Sequence, residues 1–544
     1  MTAADNPADN PADNPHVHPY AHFDIPSLLA ERARTRADHP FIVWAPFEGD
    51  GESWTYARFA DRVDRVAAGL AARGIRAGDS VLVHLDNCPE ILFAWFACAR
   101  LGAICVTTNA RSAADEMAYF ADHSGAVAAI TQPRFADMVA GACTGLRWLA
   151  VTDTDSGAPP APGHAPDRGS AFAALDGDPA KLPGRAADPL APLSVQFTSG
   201  TTSRPKAVLW THANGLWGAQ VNALHEDLRA EDVHLVQLPL FHTNAQAYSV
   251  LGSLWAGATA VIQPRFSARR FWDNAIEHRC TWTSLVPFCV KALMDQPVPA
   301  EHHFRLWGSA ACSPPEDEHF RVKTIGWWGM TETITHGLTG YARLENRPLS
   351  VGRPAPEYRI AVVHDDGTPA GPGETANLKV KGIRGLSLFA EYLGNPRATA
   401  DSFDADGFFI TGDMVTVHED GFISFTNRAK DMLKVGGENV AALEIERVIA
   451  ALPLAHEVAV VGKPHPMLDE VPVAYVMVAG GADEAPPDYA DQVLAACRDK
   501  LADFKVPNEV RLVDDFPRST LEKIAKNDLR AELAAEVEAA TAAE

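Results

Sequence analysis

The run FTSGTTSRPKAVLWTH, Phe197 to His212, gathers residue types suited to handling a polyanion. Thr198, Ser199, Gly200, Thr201, Thr202 and Ser203 offer hydroxyls and unhindered backbone N–H groups, and Arg204 and Lys206 add positive charge. Glycine lets the backbone approach a phosphate, and successive N–H groups form an anion-binding nest. The spacing is not that of a Walker A loop, since no G-x-x-x-x-G-K-[ST] occurs in the chain. For a Ser/Thr/Gly run alone, a polar surface turn is the plain alternative. The Pro205-Lys206 exit makes the full string more specific.

Four further stretches hold candidate chemistry. GWWGMTETITHG, Gly326 to Gly337, sets Thr331 and Glu332 behind Trp328, Gly329 and Met330. Its bland reading is a packing turn. FFITGDMV, Phe408 to Val415, carries Asp413, although an isolated Thr-Gly-Asp is usually a turn. LPLFHTN, Leu238 to Asn244, carries His242, and a lone histidine is more often a satisfied core residue. PRSTLEKIAK, Pro517 to Lys526, carries Lys523, and a lysine near a C-terminus is usually solvated surface.

The elements that must position these residues read as alternating strands and helices. Ile25 to Arg36 and Trp54 to Leu70 predict helices, Ser80 to Leu85 a strand, Ala94 to Leu101 a buried helix, and Ile104 to Thr107 and Ala126 to Thr131 strands. Ser156 to Pro192, rich in Pro, Gly, Asp and Ala, predicts a long surface loop. Strands follow at Val233 to Leu238, Ala258 to Ile262, Thr281 to Val286 and Arg305 to Ser309, with a helix over Phe266 to His278. Apolar strands alternating with helices predict parallel α/β layers. Beyond Val351 short strands with Asp-Gly and Gly-Pro-Gly turns predict a β-rich subdomain, and a compact unit begins near Lys430.

Bulk properties limit the function classes. A chain of 544 residues exceeds a single core, so at least two domains are expected. The ADNP repeat from Ala4 to Pro15 buries nothing and is expected to be disordered. With Lys+Arg 47 against Asp+Glu 70 the net charge is −23, which argues against nucleic acid and anionic membrane as partners. No apolar run of spanning length and no signal-peptide pattern is present, so a cytoplasmic protein is expected. The eight cysteines are scattered without C-x-x-C, which predicts reduced core thiols.

Taken together, these motifs resemble the adenylate-forming superfamily of acyl-CoA synthetases, peptide-synthetase adenylation domains and luciferases. HLDNCPE, TNAR, TSRPK, FSARRFW and GMTETI are most similar to the carnitine/crotonobetaine-CoA ligase type, and the resemblance runs from about Phe23 to Arg530. It implies an α/β fold: a disordered tail over 1–22, a large N-terminal domain over 23–429 with α/β layers and a β-rich subdomain, and a small mobile α+β lid over 430–544. It also implies ATP or acyl-AMP, Mg²⁺ and coenzyme A as cofactors, and a small-molecule carboxylic acid or its acyl-adenylate as partner. By the same resemblance Thr198 to Thr202 and Lys206 cradle phosphates. Trp328 lies beside the adenine, Gly329 and Met330 belong to the same cofactor-binding motif, Thr331 binds the α-phosphate, and Glu332 holds the metal. Asp413 takes the ribose hydroxyls and Arg428 the ribose or phosphate. Lys430 is the hinge, Gly436 and Gly437 line the pantetheine tunnel, His242 gates it, and Lys523 bridges carboxylate and α-phosphate.

Some positions depart from the family pattern. Trp328 stands for the usual tyrosine, Asn427 precedes Arg428, and Glu522 replaces the glycine before Lys523. The stretch from Trp307 to Trp328 is short, which would leave room for a bulky acid. Three functions stay open: a complete acyl-CoA ligase; an enzyme that only thioesterifies an acyl-adenylate supplied by a separate adenylating enzyme; and a stand-alone enzyme that loads a carrier protein.

Overall fold

The computed structural model describes residues 18–112, 114–156, 169–198, 205–428, 431–435, 438–466, 468–501, 505–518 and 523–542. The chain forms two compact units, Met1–Ile360 with Val380–Phe409, and Ala361–Lys379 with Ile410–Glu544. These cuts fall inside the β-rich stretch beyond Val351.

The first unit is built on two large sheets. In the nine-stranded sheet, Thr259–Ile262, Val233–Val236, Trp282–Ser284, Leu306–Ser309 and Thr324–Gly329 run parallel in that spatial order. Strand His336–Thr339 then pairs antiparallel with Thr324–Gly329. In the eight-stranded sheet, Pro192–Thr198 lies parallel to Ile104–Thr107 and antiparallel to Lys206–Thr211, which pairs in turn with the short strand Glu391–Tyr392. The predicted parallel α/β layering is therefore present, with antiparallel strands added at the ends that carry the motifs. Helix Pro89–Leu101 is apolar nearly all round and buried along most of its length, as a helix enclosed in a core must be.

Local chemistry sets the boundaries. Thr55 caps the helix Tyr56–Ala72 by accepting from Arg58 N–H, so the predicted helix start at Trp54 moves two residues on and Glu52–Thr55 is a strand. Thr211 and Asn214 form a reciprocal capping box at the helix His212–His225. The Asn214 amide also donates to Leu386 O and Leu388 O, at 2.7 and 2.8 Å, which fixes the segment leading to Tyr392.

The Ser156 to Pro192 stretch is not wholly a surface loop. Phe172 and Leu175 are buried, and the chain presses onto helix Tyr56–Ala72 where Gly69 meets Gly177. A Cβ on Gly69 would lie 1.8 Å from Leu175 O, so two glycines let the backbones touch. The short excursion between Leu306–Ser309 and Thr324–Gly329 holds only the helix Glu316–Phe320. All eight cysteines are buried free thiols. Among the described residues no helix is long and apolar enough to cross a membrane.

The second unit pairs Ala455–His465 with Asp469–Val478 in a long hairpin, and Glu509–Val513 adds in parallel. The 17-residue helix Lys526–Ala542, which the sequence reading does not anticipate, is clamped by ion pairs. Arg511 reaches Glu536 at 2.7 Å and Glu532 at 3.1 Å, Lys526 reaches Glu446 at 2.6 Å, and Arg530 reaches Asp431 at 2.5 Å.

Candidate active site

The strand Lys206–Thr211 is the frame of the site in the first unit. Alternate residues share a face, so Lys206 and Trp210 point the same way. The Trp210 indole N–H donates to Thr331 O at 2.9 Å and anchors the turn Thr331–Thr333. Tyr392 pairs with Val208 across the sheet edge, which sets its ring between two motif residues. The Lys206 ammonium lies 4.4 Å from the Tyr392 ring centroid. The Tyr392 hydroxyl donates to Glu332 Oε1 at 2.9 Å. Burial, then the Glu332 carboxylate, push the phenol far above its ordinary pKa, so it stays a donor. Phe389 N–H donates to Glu332 O at 2.8 Å, and Glu332 itself is buried.

The two adjacent tryptophans divide between faces of the strand Thr324–Gly329. Trp327 stacks between Trp282, at 5.8 Å and 3°, and His336, at 4.2 Å and 11°. Gly308 makes the first contact possible, because a Cβ there would lie 1.7 Å from Trp327 and 2.5 Å from Trp282. Trp328 takes the opposite face, and a Cβ on Gly337 would approach its six-membered ring to 3.0 Å. Gly329 carries the Tyr248 hydroxyl, 2.6 Å from where a Cβ would sit. Met330 N–H donates to Thr333 Oγ1 at 3.0 Å and closes the turn. Behind it Ile334 holds φ +60°, a left-handed conformation that is unusual for a β-branched residue. Such strain costs on the order of 1–3 kcal/mol and concentrates where a site needs a fixed turn. His336 is fully buried, and burial, with His225 nearby, holds it well below the usual imidazole range.

His242 is half-buried between the strand Val233–Val236 and the π-helix Asn244–Leu251. Its carbonyl accepts from Gln246 N–H at 3.0 Å. Single π-helical turns are rare and recur at functional sites. Thr198 ends the strand Pro192–Thr198, opposite Lys206. Thus Thr198, Lys206, Trp328, Gly329, Met330, Thr331, Glu332 and His242 all belong to the first unit. Ser199, Gly200, Thr201, Thr202, Ser203 and Arg204 lie outside the described residues.

The second unit carries Asp413 and Lys523. Asp413 is buried in the strand Phe409–Val417, where Gly412 at φ +72° supplies a left-handed bend just before it. Asp413 N–H donates to Thr411 Oγ1 at 3.0 Å, and that hydroxyl donates to Leu378 O at 2.6 Å. The backbone of Arg428 faces Asp413 across the strand pair. The Arg428 side chain and Lys430, Gly436, Gly437 and Glu522 lie outside the described residues. Lys523 is exposed and precedes Ile524, which bridges Arg518. Arg518 is held by Glu457 at 3.0 Å.

A lone buried carboxylate, Glu332, with a cation and a phenol beside it fits Mg²⁺ that arrives on a phosphate, since that ion is usually held by one or two carboxylates plus substrate oxygens. No cluster of three or more His, Cys, Asp or Glu able to cage a metal is present among the described residues. A groove of about 720 Å³ elsewhere in the first unit, walled by Trp44, Trp54, Arg58 and Phe93, contains none of the candidate site residues, although Cys88, Pro89 and Glu90 of HLDNCPE border it. The sequence reading missed Tyr392 and Gln196 and met Thr243 only as part of LPLFHTN, with no role; the three form the site's supporting hydrogen bonds.

The chain is similar to known proteins along most of its length. The model of the AMP-binding enzyme family matches residues 29–393, and that of the AMP-binding enzyme C-terminal domain matches residues 444–523. A crotonobetaine/carnitine–CoA ligase of Escherichia coli is 35% identical over 493 residues, spanning 88% of this chain and 93% of that protein. The ATP-bound crystal structure of MatB from Rhodopseudomonas palustris superposes with a TM-score of 0.80 at 28% identity, covering 93% of this chain and 98% of that one. The anthranilate CoA ligase AuaEII, solved with anthranoyl-AMP, shares the fold at a TM-score of 0.83 and 22% identity, over 97% of this chain and all of that one.

Proposed function

The chain belongs to the AMP-binding enzyme family, and on that premise we propose that it is an acid–thiol ligase that converts a small carboxylic acid, through an acyl-adenylate, to its coenzyme A thioester. The observation that carries this reading is the Lys206–Tyr392–Glu332 bridge beside Thr331. It brings together three segments far apart in sequence and sets a cation and a buried carboxylate on either side of one phenol.

Such a pair suits a nucleotide triphosphate. A carboxylate is a poor electrophile, so its oxygen attacks the α-phosphorus of ATP, the bond to pyrophosphate breaks, and acyl-AMP results. Catalysis then depends on pose and on donors aimed at the developing phosphoryl charge. Lys206 and the Thr331 hydroxyl are assigned to the phosphates, Trp328 to the adenine and Asp413 to the ribose hydroxyls. Glu332 would hold Mg²⁺, which when bound would neutralise charge on the phosphate oxygens. Lys523 is assigned to the first step. In the second, the thiol sulfur attacks the acyl carbonyl and AMP leaves, with His242 beside its path.

Support for the thiol step comes from the relative's name, crotonobetaine/carnitine–CoA ligase. ATP–pyrophosphate exchange across a library of carboxylic acids, followed by detection of CoA thioesters, tests the reading. Absence of exchange with every acid, alongside thioester formation from synthetic acyl-AMP, would favour the thioesterification-only reading that Glu522 raises. Exchange without any CoA thioester would favour a carrier-protein acceptor.

A further inference from the structure

A chain of buried amides and hydroxyls leads to the Thr331 hydroxyl from behind. Gln246 Nε2 donates to Leu240 O at 2.8 Å and to Thr107 Oγ1 at 3.2 Å. A carbonyl can only accept, so the first of these bonds fixes which way round the Gln246 amide sits. Its Oε1 therefore faces Gln196, whose Nε2 donates to it at 2.9 Å. Gln196 Oε1 is thereby turned toward Thr243. The Thr243 hydroxyl stands 2.9 Å from Gln196 Oε1 and 3.0 Å from Thr331 Oγ1, as donor to either. All four supporting side chains, Thr107, Gln196, Thr243 and Gln246, are at most 7% exposed.

The count of hydrogens decides what this can do. Thr243 has one hydroxyl hydrogen and two acceptors for it, and both amides in the chain are fixed in orientation by the Leu240 carbonyl. When the hydrogen lies toward Thr331, the Thr331 oxygen receives a bond from behind. Its own hydrogen is then directed forward and its O–H is polarised, as in any cooperative hydrogen-bond chain. When the hydrogen lies toward Gln196, Thr331 loses that support. We infer that Thr243 is a positioning residue for the phosphate-binding hydroxyl of Thr331, its single hydrogen passing from Gln196 to Thr331 when a phosphate oxygen claims the hydrogen of Thr331. Gln196 and Gln246 act as the rigid back-stop that keeps Thr243 in place. The inference rests on the assignment of Thr331 to the α-phosphate.

The test compares AMP with adenosine, which differ only in the group Thr331 is assigned to bind, so no knowledge of the acid is needed. Both are titrated calorimetrically into the full chain and its variants. Thr243→Val keeps shape and removes the hydroxyl. It should weaken AMP about tenfold, the loss typical of one hydrogen bond, and leave adenosine within about twofold. Thr243→Ser should restore AMP. Thr243→Val combined with Thr331→Val should bind AMP no more weakly than Thr331→Val alone, because the two act as a unit. Unchanged AMP affinity in Thr243→Val beside a clear loss in Thr331→Val overturns the inference and leaves the site assignment standing. Equal losses for AMP and adenosine reduce Thr243 to a structural residue and also overturn it. Full AMP affinity in Thr331→Val overturns the assignment it rests on, and the inference with it.

Discussion

Tyr392→Phe removes one oxygen from the structure and little else. The ring stays beneath the Lys206 ammonium at 4.4 Å, so that cation keeps its platform. What disappears is the hydroxyl that donates to Glu332 Oε1 at 2.9 Å. Glu332 is buried, so solvent cannot readily replace the donor. A hydrogen bond to a charged group contributes roughly 1.5–3 kcal/mol, and about 1.4 kcal/mol is a decade of rate or affinity. The variant should therefore lose about tenfold to a hundredfold in kcat/KM for ATP–pyrophosphate exchange, with the Mg²⁺ concentration needed for half-maximal rate rising. Tyr392→Ala, which also removes the ring under Lys206, should lose more. Exchange in Tyr392→Phe at the native rate and native Mg²⁺ dependence would refute the claim that this phenol holds the metal-binding carboxylate.

Other outcomes follow from the same assignments. Asp413→Ala should weaken AMP at least tenfold, each lost bond to a charged group amounting to roughly 1.5–3 kcal/mol, as read by calorimetry. Lys523→Ala should abolish pyrophosphate exchange while thioester formation from supplied acyl-AMP continues nearly unchanged, and equal loss in both assays would contradict that division. Glu522→Gly should raise exchange and not the second step, since it removes a carboxylate next in sequence to the ammonium assigned to the first step, and an opposite charge there competes with the incoming triphosphate. Burial pushes His84 and His212 down to about 4 and His234 down to about 3. A depressed folded-state pKa means that the unfolded chain takes up protons first. Stability is thus complete above pH 6.5 and falls from there toward pH 4, by about 1.4 kcal/mol per pH unit for each imidazole well inside that range. Thermal melts between pH 7.5 and 4.5 should show this slope.

How much of this was legible in the sequence depends on the range of the interaction. The strand–helix alternation was, because it is set by periodicity within ten or so residues. Strands Ser80–His84 and Ile104–Thr107 fall within a residue or so of the predicted spans. Trp327 and Trp328 must face opposite ways in any strand, but which of them enters the column with Trp282 and His336 is set by neighbouring strands. Tyr392 was missed because a two-residue strand has no periodicity. Its importance comes from the register that puts it beside Val208. The roles of Gln196 and Thr243 are likewise cross-chain, joining residues 47 positions apart. The π-helix Asn244–Leu251 left no mark on an apolar stretch that reads equally well as an ordinary helix.

The close stacking over Gly308 also constrains how this protein can change by single steps. A methyl group at position 308 would overlap Trp327 at 1.7 Å and Trp282 at 2.5 Å, both well inside van der Waals contact. No rotamer of the new side chain relieves that, because the Cβ itself is the offending atom. Every substitution at position 308 is therefore closed while both indoles are present. It opens only after Trp327 has first been replaced by a smaller residue, a change that unstacks His336 at the same time, and even then Trp282, 2.5 Å from the new Cβ, must also give way. The order of mutations is thus fixed by packing: Trp327 before Gly308. Lineages that keep the indole can reshape this wall only through the residues around it.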